Sequence, residues 1–151
     1  MASDTMTQQS LYSLVPFQLG DLRIVSPASA ALSRYLASGD YTHAWTALRN
    51  GFPIACAGIQ PVPDWPGRAY CWSILGDVGR WGLLWSTRVI LAQIEETRIA
   101  LSLRRLEATC LLNWRPGMRW LEILGFQYEG RMIAYDPDGR DHMLWARTWR
   151  N

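Results

Sequence analysis

One stretch constrains the fold of this chain more than any other. Over residues 83 to about 98, Leu83, Leu84, Thr87, Ile90, Leu91 and Ile94 recur at helical spacing, while Arg88, Gln93, Glu95 and Glu96 fall on the opposite side. Such a helix keeps one face wet and needs a sheet beneath the other. Strand-like runs stand on both sides of it, at residues 68–75 and 105–112.

The remaining elements follow from turn chemistry. Residues 11–17 read as a strand. Residues 19–36 carry apolar side chains at helical spacing, interrupted at Ser26-Pro27, where a second helix can start with Ser as cap and Pro in its first position. Residues 43–49 and 53–60 flank Asn50-Gly51, a dipeptide that tolerates the positive φ angles of a tight hairpin. The run Pro61-Val-Pro-Asp-Trp-Pro-Gly67 is a loop, and residues 76–82, punctuated by glycines, lead into the long helix. Residues 116–124 form a short helix closed by Gly125. Residues 126–134 and 142–149 are strands joined by a turn at 135–140. A polar tail, residues 1–10, precedes a single domain over 11–151.

Composition narrows the function classes. With 49% hydrophobic and 19% charged residues the chain is built to fold, and a net charge of +2 is too small to mark a nucleic-acid partner. All 15 basic residues are Arg, a side chain that stacks on indoles and forks onto carboxylates, and there are nine Trp to stack on. No run is apolar enough to span a bilayer, and the first residues lack the order of a cleaved signal, so the expectation is a soluble protein, with a cytoplasmic setting fitting its three cysteines best. Cys56, Cys71 and Cys110 match no ligand spacing, and no metal site is expected. Residues 76–82 lack the Gly-Lys-Ser/Thr end of a Walker loop. His142 beside Asp141 has no nucleophile at a motif spacing, so no catalytic residue is assigned.

The element order β-α-α-β-β-β-α-β-α-β-β, a mixed α/β (α+β) sheet flanked by helices, is similar to that of the GNAT superfamily of N-acetyltransferases. Detail comes from the last third: Arg105-Leu-Glu-Ala-Thr opens a strand, Asn113 follows, then Arg119-Trp-Leu-Glu-Ile-Leu-Gly-Phe126 and Glu129-Gly130. The final hairpin, with Pro-Asp-Gly-Arg-Asp-His, resembles small phage and prophage members. In that family a Gln or Arg, then Gly, then Gly or Ala, precede the long helix and let backbone N–H groups hold the pyrophosphate of acetyl-CoA. The resemblance puts Leu75, Gly79, Arg80, Gly82 and Asn113 at the cofactor site. Only Gly82 is in register, however: Asp77 stands where the family has Gln or Arg, and Arg80 where it has the first Gly. A family Tyr that protonates the leaving thiolate corresponds to Leu121. The central strand 68–75 holds no acid for a general base, and the nearest carboxylate, Glu107, reads as a solvent-facing strand residue paired with Arg.

What the resemblance to phage members implies is therefore a GNAT-like domain without acetyl transfer and with no cofactor, a virion-associated or assembly protein-interaction component located in the bacterial host cytoplasm or the virion, with phage structural proteins as partners. Its alternative is an acetyl-CoA-dependent N-acetyltransferase acting on an amine. Trp81 and Trp85, one helical turn apart, with Arg88 continuing the stripe, are the expected interface anchors.

Overall fold

Why these residues form these elements is clearest at their ends. The computed structural model describes residues 11–27 and 39–150; the tail at 1–10 and the second helix expected after Ser26-Pro27 lie outside the described residues. The elements are β1 (Tyr12–Pro16), α1 (Leu19–Val25), β2 (Ala44–Arg49), β3 (Phe52–Pro61), β4 (Arg68–Leu75), α2 (Gly79–Ala100), β5 (Arg105–Leu111), α3 (Arg115–Ile123), β6 (Gln127–Met132) and β7 (His142–Thr148). The strands form a seven-stranded sheet in the order β1-β2-β3-β4-β5-β7-β6, which is the expected mixed sheet with helices. The β4–β5 pairing is parallel, whereas β5–β7 and β6–β7 are antiparallel.

The chain divides into two compact units. One holds the described residues up to Gln60 with Ser73–Val89, the other Pro61–Trp72 with the described residues from Ile90 onward. In the first, β1 and β2 pair antiparallel from Tyr12↔Arg49 to Pro16↔Trp45, and β2 continues onto β3 through the Asn50-Gly51 turn. Both turn residues are left-handed, with φ of 50° and 81°, as a tight hairpin requires. Ala47, Ile54 and Ala55 form a buried cluster, against which Tyr12, Leu14, Leu75, Val78 and Trp85 pack. Asp21 ties α1 to this sheet: its carboxylate accepts the Gln18 N–H at 3.2 Å and the hydroxyl of the fully buried Thr46 at 2.7 Å. That bond satisfies a hydroxyl that would otherwise be desolvated without a partner.

In the second unit β5 alternates between buried and open positions, with Leu106, Ala108 and Cys110 turned to the core. The end of α3 explains the Leu-Gly-Phe sequence. Gly125, at φ 87°, donates its N–H to the Glu122 carbonyl at 3.0 Å, and Phe126 donates to the Leu121 carbonyl at 2.9 Å. This is a Schellman stop, and its buried Phe126 and Leu121 supply the apolar closure. Gly125→Val should therefore cost about 1 kcal/mol or more through backbone strain, and the added Cβ would also stand 3.3 Å from Arg147 Nε. Thermal melts of parent and variant test this; equal melting temperatures would mean the helix does not end at Gly125.

Candidate functional site

The loop before the long helix is set by backbone contacts. Gly76 donates its N–H to the Ile54 carbonyl at 2.9 Å, and Val78 donates to the Gly76 carbonyl at 3.0 Å, turning the chain sharply after β4. Gly79 then takes φ 61° and opens α2 directly. The helix thus begins at Gly79 and not after Gly82, as its glycines led the sequence to imply; a left-handed residue can swing the chain straight into a helix, and glycine does so without a Cβ penalty. The N–H groups of Gly79, Arg80, Trp81 and Gly82 consequently belong to a first helical turn, where they have no intrahelical partner. No acidic residue lies within that turn, so the positive end of the helix is uncompensated by its own side chains.

Among the residues assigned to cofactor binding, this unit gathers Leu75, Gly79, Arg80 and Gly82. Leu75 packs on the Ala47–Ile54–Ala55 cluster, and Gly82 is buried, with the position of its absent Cβ 3.5 Å from the Tyr12 ring. Arg80 is exposed and lies 5.7 Å from the Trp81 ring. The Arg49 guanidinium approaches within 3.9 Å of where a Gly79 Cβ would stand. Asp77 is exposed just ahead of the helix. Asn113 belongs to the other unit, where it is exposed and left-handed (φ 61°) between β5 and α3. Tested against an acyl-CoA pyrophosphate, the free N–H groups fit; Asp77 brings a repelling charge, and Arg80 puts a long side chain where close backbone approach is needed. As a set these residues do not fit an acyl-CoA pyrophosphate.

The expected interface strip divides. Trp81 is 68% exposed, whereas Trp85 is half-buried and stacks on Tyr12 with ring centroids 5.4 Å apart and planes at 22°. Helical spacing puts both on one stripe, but Trp85 turns onto Tyr12 of β1 and packs against the Ala47–Ile54–Ala55 cluster. Trp81 and Arg88 remain exposed.

In the second unit, Glu107 departs from the solvent-facing position expected of it. Only 14% of its side chain is exposed, and it accepts from Arg68 Nε at 2.9 Å, Arg68 Nη2 at 3.2 Å and Arg105 Nε at 2.6 Å. Arg105 extends the array to Glu129, with Nη1 donating at 3.0 Å. Burial pushes the Glu107 carboxyl up, but the bonds from Arg68 and then Arg105 outweigh it and hold the group below its ordinary value. A carboxylate so stabilised is a poor general base. Leu121, at the proton-donor position, is buried in the helix stop and carries no proton to give.

His142 and Asp141 make separate pairings within the fold. His142 Nε2 lies 3.2 Å from Asp136, not beside Asp141, because strand alternation sends neighbours to opposite faces. Asp136 also accepts the backbone N–H groups of Asp138 and Arg140, so the dyad secures the β6–β7 turn. Asp141 pairs instead with Arg131 and the Ala134 N–H. Burial pushes the cysteine thiols up, Cys56 to about 11, which disfavours the thiolate. Among the described residues no group of three His, Cys, Asp or Glu could hold a metal ion. No helix among them is long and apolar enough to cross a membrane. Sequence reasoning missed the Asp21–Thr46 bond and the depth of Glu107, which depend on partners far along the chain.

No family model and no curated protein matches the sequence. Solved structures do match the fold. The ribosomal-protein-S18-alanine N-acetyltransferase of Escherichia coli aligns with a TM-score of 0.70 at 18% identity, over 91% of this chain and 93% of its own. A GNAT-family acetyltransferase of Bacillus anthracis gives 0.68 at 12% identity, over 91% and 94%. A chain of the NatC complex, solved bound to Gag peptide and CoA, gives 0.72 at 13% identity, over 92% and 99%. At these identities the likeness is one of fold: the chain has the architecture of the GNAT N-acetyltransferases.

Proposed function

We propose that this chain is a GNAT-fold domain that no longer carries out acetyl transfer and works by binding a protein. The observation that carries this reading is the state of the two proton-transfer positions. Glu107, the nearest carboxylate to the base position, is clamped by Arg68 and Arg105, and Leu121 occupies the acid position inside the core. Selection for acetyl transfer accounts for neither, whereas both stabilise the fold. The exposed Trp81 and Arg88 are residue types that anchor interfaces. The likeness of the final hairpin to phage members supports a virion-associated or assembly role, in the bacterial host cytoplasm or the virion, with phage structural proteins as partners. On this reading no cofactor is required.

A second reading, an acetyl-CoA-dependent N-acetyltransferase of a small-molecule or protein amine, is favoured by one observation: the first turn of α2 is free of acids and has Arg80 and Arg49 close by. Thiol release from acetyl-CoA separates the two. With spermidine or a peptide beginning in alanine as acceptor, the proposal predicts no rate above that without protein. Turnover that rises with protein concentration and saturates in the amine would overturn it.

A further inference from the structure

The connection from β3 to β4 lies in the second unit beyond Pro61, and it is built for rigidity. Its prolines limit the backbone, and it closes on itself: Trp65 N–H donates to the Val62 carbonyl at 3.2 Å, Arg68 to Trp65 at 3.3 Å and Val62 to Arg68 at 2.9 Å. The Gly67 carbonyl accepts from the N–H groups of both Arg104 (2.8 Å) and Arg105 (3.0 Å), fastening the loop to the start of β5. Gly67 takes φ 83°, a left-handed angle that any side chain would strain.

The loop thereby forms one wall of an open pocket of about 400 Å³, lined by Trp65, Arg68, Arg104, Arg105, Glu107 and Leu144 among others. This volume falls within the range of small-molecule sites. Three guanidiniums line it against one carboxylate, and that carboxylate is already engaged by Arg68 and Arg105. Arg104 is placed differently. It is exposed, and among the described residues its side chain makes one long bond of 3.4 Å, from Nη2 to the Pro66 carbonyl. Its remaining donors and its charge are available to a ligand. Trp65 is 59% exposed, with the Arg68 guanidinium over its ring at 4.6 Å.

We propose that this pocket binds a small organic anion bearing a planar ring, of the chemical class of a nucleoside monophosphate. The ring stacks on the exposed indole of Trp65, on the face away from the Arg68 guanidinium, as bases do on aromatic side chains. The phosphate takes the planar donor fork of Arg104, the geometry in which arginine grips phosphate oxygens. Leu144 contributes apolar surface to the wall. The site lies wholly within the second unit and is independent of both the start of α2 and the protein-interaction reading.

AMP is the probe, titrated into the full chain by calorimetry. Saturable binding is expected, with adenosine and inorganic phosphate each bound about tenfold more weakly or worse, because each lacks one half of the recognition. Arg104→Ala and Trp65→Leu should each weaken AMP about tenfold. Trp81→Ala, an exposed indole in the other unit, should leave it unchanged. The parent protein gives a reading that does not depend on how the variants fold: AMP should shift the indole N–H resonance of Trp65, assigned through Trp65→Phe, and not that of Trp81. Absence of saturable AMP binding, equal AMP affinity in the Arg104→Ala and Trp65→Leu variants, or a shift at Trp81 in place of Trp65 would overturn the proposal.

Discussion

Trp85→Ala should lower the folding stability by about 3 kcal/mol, while Trp81→Ala changes it by less than about 0.5 kcal/mol. The two rings sit one helical turn apart, yet their surroundings differ. Trp85 stacks on Tyr12 and packs against the Ala47–Ile54–Ala55 cluster, so truncation removes an aromatic pair and opens a void beside three small or medium side chains that cannot fill it. Trp81 is 68% exposed, with the Arg80 guanidinium 5.7 Å from its ring. Denaturant unfolding of both variants measures the difference. Similar losses for the two would place both rings in the core and remove Trp81 as an interface anchor. If the interface reading holds, Trp81→Ala and Arg88→Ala weaken partner binding or assembly at an unchanged melting temperature.

Gly76→Val should be as damaging, at about 3 kcal/mol, and for a different reason. A Cβ at this position would stand 2.9 Å from the Val25 carbonyl and 3.0 Å from the Ile54 carbonyl. Both are backbone atoms, so neither can rotate away. Because Gly76 also donates to Ile54, relief of the clash must break the bond that closes the turn ahead of α2. Gly20→Ala on α1, where nothing stands within 4 Å, is the control and should cost nothing or stabilise slightly. A Gly76→Val midpoint equal to that of the parent would mean the strand does not run this close to its neighbours.

Local chemistry was legible in the sequence wherever one residue type dictates a backbone angle. Asn50-Gly51 specified its hairpin, and Gly125 with Phe126 specified a helix stop. The strands 68–75 and 105–112 were placed within a residue because their runs are short and bounded by turn residues. The helix start was not, since glycine marks both a loop and a left-handed entry into a helix, and only the observed φ of Gly79 distinguishes them. Long-range partners were invisible. Periodicity gave Trp81, Trp85 and Arg88 a common stripe, but whether a ring is an anchor or a filler depends on Tyr12, far away in sequence. Glu107 was paired with Arg as expected, yet it was read as facing solvent, because a single strand position does not reveal that Arg68 of a parallel neighbour closes over it.

Titration calorimetry with acetyl-CoA tests the proposal that this GNAT-fold domain works without that cofactor. Asp77 ahead of the helix and the Arg80 side chain in its first turn should leave no saturable heat at micromolar concentrations. Asp77→Arg combined with Arg80→Gly should recover part of the binding. A micromolar dissociation constant for the unaltered chain would contradict the claim and move the protein into the class of working N-acetyltransferases.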